Sequence, residues 1–456
     1  MEQKTIKIFL ASSNELHDER EKFGNFIRKL DKIYETRGMR VKVFEWEDYD
    51  ASIKDCRTQD KYNEKVQESD MFVAMFYTKA GKFTIEEFDV AMDEYRKKGF
   101  PKVYVYCKVL NEGEVETPEL KAFKYRLNEN GNEQFWANYS NQDSLQLHFI
   151  QQFLMVENGL NNLKLEGDKV MLEGIAVAKL ANLPFAAGNK NYKEMKKELD
   201  GLPEEIELAR QSANEHPDSE KHRNNLQKKL NRYNALIEEF ARLQQTLFET
   251  SQRIAEMQRE QLSDKLRRAT EAFEKGNLER ANTLLDEIIN GADSDFEGLK
   301  EIHKPYHQKI DALLLRAKTV MLEVNTPISE RIKQVQDIYA KADEWAKESA
   351  LPDEKYDGLL RVYSSFLYNY GLYKAAEPVY LRLIALREKL YGPEHPVTAT
   401  SYNNIGALYN NQGEYAKALK YLGKTLAIWE RVLGPDHPDT KTVMENMIIC
   451  LEEMQG

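Results

Sequence analysis

The chain has 456 residues, and its 76 acidic against 65 basic side chains give a formal net charge of −11. This length predicts two to four domains, each large enough to bury its own core. The acidic balance and the lack of a long basic run argue against nucleic-acid binding, because contacts to phosphates need clustered Lys and Arg.

Cysteine usage and hydropathy point to a reducing, aqueous compartment. Cys56, Cys107 and Cys450 lie far apart and form no CxxC pair, which argues against a disulfide framework or a zinc–thiolate site. His303 and His307 belong to no HExxH motif, so no metal site is expected. The N-terminus lacks the apolar segment of a signal peptide, and no stretch approaches the ~18 to 20 apolar residues that span a bilayer. We therefore expect a cytoplasmic protein without membrane contact.

Residues 1–156 alternate strand and helix signals, and we expect them to form the first domain. Short apolar runs predict strands at 6–11, 39–46, 71–77, 102–107 and 134–138. Helices are predicted between them, including 58–68 and 84–98, and Ser12 is expected to cap the first helix with Glu15 three residues on. Repeated strand–helix units predict an α/β domain whose parallel sheet is covered on both faces.

The middle of the chain, 157–350, is predicted to be mostly helical. Apolar residues in heptad positions between Leu226 and Ile254 predict one long helix of coiled-coil type. That helix is either one arm of an intramolecular hairpin or part of a dimer. The His216-Pro217 dipeptide predicts a break before it.

The C-terminal region, 351–456, is an internal repeat with a spacing of 42 residues. The sequence GLYKAA at 371–376 recurs as GEYAKA at 413–418, and LYGPEHP at 390–396 recurs as VLGPDHP at 432–438. Each unit reads as helix, glycine turn, helix and Gly-Pro loop, which buries its apolar face only by stacking on its neighbours. An earlier echo at 276–281 predicts that such helix pairs begin before residue 290.

The repeat sequences resemble tetratricopeptide repeats of the longer type found in kinesin light chains and many bacterial proteins. The motif YNNIGALY at 402–409, followed by QGEY and GPDHP, carries this resemblance. It implies a solenoid with a concave groove that binds a peptide or a protein partner. Asn404 and Asn411 match positions that often face the groove, and the alternative for both is a polar helix surface without a ligand.

The first domain carries a candidate catalytic carboxylate just after a buried strand. A helix rich in acidic residues follows the run at 71–77, and ligands of open α/β sheets bind at the carboxyl ends of strands. The segments IFLASS at 8–13, SDMFV at 69–73 and GKFTIEEF at 81–88 resemble the TIR-like domains of bacterial defence and signalling proteins. The resemblance implies a flavodoxin-like sheet, and it implies that Glu87 is the glutamate that enzymatic TIR domains need to hydrolyse NAD.

Two neighbouring features leave the role of Glu87 open. Helical periodicity places Glu86 toward solvent and Glu87 on the flank of the buried stripe, beside Ala91. Thr84 and Glu87 also have the spacing of a capping box, in which Glu87 would only tie off the start of its helix.

A lone carboxylate suits cleavage of the N-glycosidic bond of NAD, because the cationic nicotinamide leaves as a neutral group. A carboxylate ~4 Å from the developing ribose cation, at an effective dielectric of ~20, contributes about 4 kcal/mol, or roughly a thousandfold in rate. NAD would be the substrate, and no cofactor is expected. Further substrate contacts are expected from residues at strand ends: Ala11, Ser12, Ser13, Trp46, Phe76 and Tyr77.

Three hypotheses follow for function. The first is an NAD hydrolase of bacterial defence or signalling, gated by the repeats through partner binding or homo-oligomerisation. The second is a non-enzymatic adaptor in which both ends bind proteins. The third is a nucleoside hydrolase or deoxyribosyltransferase built on the same sheet.

Overall fold

A computed structural model describes most of the chain, which divides into two compact units, Met1–Thr283 and Leu284–Gly456. The described residues are 4–36, 38–44, 58–129, 135–157, 162–217, 219–258, 262–291, 304–349 and 351–454. Among them, no helix combines the length and the apolar composition that crossing a bilayer requires.

The first unit is built on a five-stranded parallel sheet in the order β2-β1-β3-β4-β5. This is the strand order of flavodoxin-like sheets and confirms the predicted α/β fold. Every residue of β3, at the centre of the sheet, is buried, as expected for a strand covered on both faces. The strands are β1 Lys4–Ser12, β2 Met39–Phe44, β3 Met71–Phe76, β4 Lys102–Lys108 and β5 Phe135–Tyr139.

Five helices cover the two faces of this sheet. On one face α1 packs against α5, with the Phe23 and Phe149 ring centroids 5.1 Å apart. On the other face, apolar side chains of α2, α3 and α4 form one cluster with the strands. The helices are α1 His17–Thr36, α2 Thr58–Gln67, α3 Lys82–Lys98, α4 Pro118–Glu129 and α5 Gln142–Glu157.

A three-stranded antiparallel sheet follows, in a region where the sequence predicts mostly helix. Its strands are β6 Leu163–Glu166, β7 Lys169–Leu172 and β8 Ile175–Lys179. Glu173 and Gly174 join β7 to β8, and both have positive φ, 46° and 83°. Two consecutive residues with positive φ are typical of a tight hairpin turn, which accounts for the Gly in this turn.

The remaining helices of the first unit include the predicted long helix. That helix packs along the preceding helix and forms an intramolecular hairpin, with the Tyr192 and Phe240 rings 5.0 Å apart. The helices are α6 Pro184–Ala187, α7 Lys190–Glu215, α8 Glu220–Met257, α9 Asp264–Glu274 and α10 Leu278–Asn290, the last of which spans the boundary between the units.

The echo at 276–281 lies at the turn between α9 and α10, and its glycine is a tight contact point. Gly276 lies between α9 and α10 with φ +77°. A Cβ added there would lie 2.5 Å from the Cα of Gly188, closer than atoms can pack. Both the conformation and the space at this position therefore require glycine.

The second unit is a stack of helix pairs and confirms the predicted repeats. One hydrophobic cluster runs through it from Ile310 to Cys450. The helices are α11 Lys304–Met321, α12 Ile328–Glu348, α13 Asp353–Asn369, α14 Tyr373–Tyr391, α15 Pro396–Asn411, α16 Tyr415–Val432 and α17 Pro438–Glu453.

The two repeat units reuse the same local devices. His395 caps α15 by accepting the backbone N–H of Val397, and His437 caps α17 by accepting that of Asp439, both at 3.2 Å. Gly392 and Gly434, each three residues before a capping histidine, have φ near +90°. A helix cannot continue through this conformation, so the preceding helix ends at or just before each glycine. Equal chemistry at a spacing of 42 residues therefore produces equal helix boundaries.

Candidate functional site

The candidate site lies where the carboxyl ends of β1 and β3 meet at the centre of the parallel sheet. These two strands are neighbours, with Ser12 opposite Met75 at their ends. The chain leaves β1 toward one edge of the sheet and leaves β3 toward the other. In sheets of this order the two diverging connections leave a crevice in which ligands bind.

Glu87 lies on α3 and is buried, with 7% of its surface exposed. One carboxylate oxygen accepts a hydrogen bond of 3.1 Å from Nε2 of Gln59 on α2. Helix α3 begins at Lys82 with Gly81 as its N-cap, so Thr84 lies inside the helix. The capping-box alternative for Glu87 is therefore wrong, because the helix starts three residues earlier than that motif requires.

Burial raises the pKa of Glu87 to about 7. The hydrogen bond from Gln59 and the positive charge of Arg20 lower this pKa, while the neighbouring charge of Glu86 raises it. A buried carboxyl group whose pKa is raised to near neutrality is a candidate functional group.

Glu86 is half-buried, and one of its carboxylate oxygens accepts a hydrogen bond of 3.1 Å from Nδ2 of Asn63. The prediction that Glu86 points to solvent is wrong because α2 packs against this side of α3. Helical periodicity alone located the buried stripe but not the second helix that covers its flank.

The residues after β1 form a network around a buried arginine. Arg20 on α1 is 1% exposed and donates a 2.6 Å hydrogen bond to Oγ of Ser12. Ser12 is not the cap of the first helix, because Ser13 occupies the N-cap position of the short turn that precedes α1. Ala11 and Ser13 are buried beside it. The structure thus brings Ala11, Ser12 and Ser13 to the end of β1, as predicted.

Glu15 joins the two loops of the crevice, a role that sequence reasoning missed. Its carboxylate accepts hydrogen bonds from Oγ of Ser13 at 3.0 Å and from both the backbone N–H and the hydroxyl of Thr78, at 3.1 and 2.6 Å. The backbone N–H of Lys79 is a further donor at 3.3 Å. The only sequence signal is an acidic residue close after Ser12, which also fits the capping role predicted for it.

The predicted aromatic contacts have different environments. Phe76 is fully buried against Phe123, with ring centroids 4.7 Å apart, so no face of its ring is open to a ligand. Tyr77 is half-buried, and its hydroxyl accepts a 2.7 Å hydrogen bond from Nδ2 of Asn111. Lys108 places its amine 4.7 Å from the centre of the Tyr77 ring. Trp46 lies outside the described residues.

Asn404 and Asn411 lie seven residues apart on α15, two turns along one side of the helix. Asn404 is half-buried and Asn411 is exposed. Nδ2 of Asn411 donates a 2.9 Å hydrogen bond to the hydroxyl of Tyr368 on α13, which fixes the amide group. Helix α15 contains no charged residue, so its exposed face is polar and neutral.

Tyr402 and Tyr409 lie beside these asparagines on α15. For these tyrosines the sequence pattern predicts only packing in the core. The hydroxyl of Tyr402 donates to Glu388 at 2.5 Å, and that of Tyr409 donates to Glu377 at 2.9 Å. The amine of Lys424 lies 4.7 Å from the centre of the Tyr402 ring. The tyrosines of α15 are therefore held by hydrogen bonds to α14 as well as by packing.

Comparison with known proteins identifies the repeats. Residues 364–397 and 398–439 match a family model described as tetratricopeptide repeat, which confirms the resemblance predicted for this region. No curated protein matches the chain.

Two solved structures share similarity with the chain. BtubC (BKLC) from P. vanneervenii is 15% identical, with a TM-score of 0.32, covering 57% of this chain and 84% of that one. A structure described as nearly identical TPR-like repeats of a kinesin light chain from Podospora anserina is 14% identical, with a TM-score of 0.32, covering 42% of this chain and 85% of that one.

Proposed function

We propose that this protein binds a protein partner through its C-terminal tetratricopeptide repeats. The family match over residues 364–439 carries the proposal, because stacked helix pairs of this kind build extended binding surfaces. The uncharged exposed face of α15 is suited to hydrogen bonding with a peptide backbone.

Asn411 is the strongest single contact that we propose for this partner. Its Nδ2 is held by Tyr368, which leaves the amide oxygen oriented and able to accept a backbone N–H. Because the side chain is already fixed, little rotamer freedom is lost when a partner binds. Asn404, two turns away on the same side, would extend the contact along the helix.

The test begins with cross-linking of the full chain in its source cells, followed by mass spectrometry to identify a partner. Binding of that partner is then measured for the double variant Asn404→Ala, Asn411→Ala. Loss of two hydrogen bonds of about 1 kcal/mol each should weaken binding at least tenfold. The matched control is Asn224→Ala, Asn225→Ala on the exposed side of α8. Equal affinity of the two double variants would contradict the proposal.

We further propose that the first unit hydrolyses NAD with Glu87 as the catalytic carboxylate. The observation that supports this is a buried carboxyl group with a pKa of about 7 on α3, the helix that follows the central strand β3. The bond between C1′ of the ribose and the nicotinamide nitrogen breaks, and nicotinamide leaves as a neutral molecule. The ionised carboxylate stabilises the ribose cation until water adds at C1′ and releases a proton.

Partner binding and catalysis fit together as one hypothesis, in which the repeats or homo-oligomerisation gate the NAD-hydrolysing site in a defence or signalling role. The non-enzymatic adaptor remains the alternative, and the family match supports its partner-binding half directly. A nucleoside hydrolase or deoxyribosyltransferase is the third possibility on this sheet.

An NAD assay at rising protein concentration, with and without the partner, tests the enzymatic proposal. Glu87→Gln should lower turnover about a thousandfold, because the charge that stabilises the ribose cation is lost. Glu86→Gln is the matched control and should keep turnover within a few-fold of the wild-type chain. Chromatography of products from NAD, nucleosides and nucleotides separates the three hypotheses. Wild-type protein that leaves NAD intact under every condition favours the adaptor.

A further inference from the structure

We propose that Gln59 is the positioning residue of Glu87: its side-chain amide holds the carboxylate in place and favours the ionised form that NAD hydrolysis requires. This inference rests on the NAD hydrolysis proposed for the first unit. It concerns a residue of α2 that no sequence motif singled out.

Gln59 is buried, and its side-chain amide hydrogen-bonds to side chains on both α2 and α3. Gln59 lies in the first turn of α2 and is 6% exposed, so its amide has little access to water. Nε2 donates to Oε1 of Glu87 at 3.1 Å and to Oδ1 of Asn63 at 3.3 Å. Asn63 in turn donates to Glu86 at 3.1 Å. Two amides on α2 therefore connect the two neighbouring carboxylates of α3.

This pattern fixes which way the Gln59 amide points. The ionised carboxylate of Glu87 and Oδ1 of Asn63 only accept, so when Glu87 is ionised the amide nitrogen of Gln59 faces them and the amide oxygen faces away. A buried amide without partners costs about 1 to 3 kcal/mol, which keeps Gln59 in this orientation. The Glu87 side chain is held by the same contact, since a hydrogen bond to its ionised form is stronger than one between neutral groups.

The charges around Glu87 explain why a neutral hydrogen-bond partner matters for its pKa. Arg20 on α1 lowers the pKa of Glu87 and Glu86 on α3 raises it, while Gln59 and Asn63 on α2 carry no charge. With an amide as its hydrogen-bond partner instead of a cation, Glu87 remains able to titrate near neutrality. Removal of the amide leaves burial and Glu86 opposed by Arg20 alone, so the pKa of Glu87 must rise further.

The test compares Gln59→Leu with Gln67→Leu, which alters an exposed glutamine on the same helix. The pH profile of NAD hydrolysis is measured for the full chain over a range of roughly pH 5.5 to 9.5, which brackets the expected titration. A rise of about one unit from a pKa of about 7 lowers the ionised fraction of Glu87 at pH 7 about fivefold, so Gln59→Leu should lower kcat at pH 7 about fivefold and should recover as the pH rises. Its KM should change little, and Gln67→Leu should follow the wild-type profile. A uniform loss of kcat at every pH would overturn the proposal.

A second readout separates this inference from the enzymatic proposal. Glutamate side chains are labelled with ¹³C, and the Glu87 carboxyl resonance is assigned by its absence in Glu87→Gln. Its titration midpoint should rise in Gln59→Leu and stay unchanged in Gln67→Leu, whether or not NAD is consumed. Gln59→Met, which keeps the length of the side chain, serves if the leucine variant does not fold. An unchanged midpoint overturns the positioning role, while absence of wild-type turnover overturns only the proposed enzyme.

Discussion

Each of the two units holds a carboxylate residue that is almost inaccessible to solvent, yet the pKa values of the two groups shift in opposite directions. Glu87 in the first unit and Asp343 in the second are both 7% exposed. Burial raises the pKa of both, but hydrogen bonds from Arg382, Lys347 and Tyr356 outweigh burial at Asp343 and hold its pKa below the usual range.

The hydrogen-bond partners of a buried carboxylate can therefore reverse the direction in which burial shifts its pKa. Asp343 pairs with two cations, Arg382 and Lys347, and accepts a hydrogen bond from the hydroxyl of Tyr356. It therefore stays charged at neutral pH, as a structural group should. Glu87 accepts a hydrogen bond from the neutral amide of Gln59, and its pKa is about 7. The hydrogen-bond partners of Asp343 connect helices of the repeats, whereas Glu87 on α3 accepts its hydrogen bond from a neutral amide of α2.

The largest expected effect comes from breaking a fully paired charge in the repeats. Arg387 and Asp357 form two hydrogen bonds, at 2.5 and 3.0 Å, and both side chains are buried. Arg387→Leu should lower the free energy of unfolding by about 3 to 5 kcal/mol, because Asp357 is left charged without its partner. The control Lys389→Ala removes an exposed pair with Asp353 and should change stability by at most about 1 kcal/mol. Denaturant unfolding of both variants measures the difference.

The pH dependence of stability sharpens the comparison at Glu87. Its pKa rises from the ordinary 4.5 to about 7 on folding, so its contribution is fully present below pH 4.5 and is lost as the pH rises through 7. Relative to Glu87→Gln, the wild-type chain should lose about 3 kcal/mol of stability between these limits.

Asp343 should show the opposite sign in the same experiment. Because its pKa is lowered, the stability that it contributes relative to Asp343→Asn is present above the ordinary aspartate pKa and disappears as the pH falls. Chemical denaturation of the wild-type chain and the two variants, over a range of roughly pH 2 to 8.5, measures both curves. Parallel curves for Glu87 and Asp343 would break the comparison.

A contrast of two glycines in the first unit tests how closely its helices pack. Gly276→Ala should destabilise by about 2 kcal/mol or more, because the positive φ and the contact with Gly188 both oppose a Cβ. Gly201→Ala, inside α7 with open space around it, should stabilise by about 0.5 to 1 kcal/mol. Thermal unfolding of the two variants distinguishes them, and destabilisation at both positions would contradict this account.

The smallest expected effect concerns the repeated caps. His395→Ala removes the side-chain acceptor at the start of α15 and should lower the free energy of unfolding by about 1 kcal/mol. His437→Ala should have a similar effect at α17, because it makes the same bond at the same distance. Clearly unequal losses in denaturant unfolding would show that the two units do not share one capping mechanism.

The repeats were predictable from the sequence because their stabilising contacts are local and recur. The glycine turns, the Gly-Pro loops and the capping histidines each lie within a few residues of the helix that they shape. The parallel sheet was predictable for a similar reason, since a run such as 71–76 is apolar at every position.

The site was only partly predictable, because its contacts join distant parts of the chain. Gln59 meets Glu87 across 28 residues, and Glu15 meets Thr78 across 63, with no local pattern to announce either. The hairpins β6–β8 were missed for a different reason: their strands are four or five residues long, too short for alternation to stand out. Their signal was the turn at Glu173-Gly174.

The carboxylate of Glu15 has a consequence for the thermodynamics of the crevice. By tying the loop after β1 to the loop after β3, it removes their conformational freedom when the chain folds. A ligand that bound there, as we propose, would meet walls that are already ordered and would lose little entropy on association. The entropic cost of ordering these two loops is thus borne by folding and would not fall on the proposed binding step.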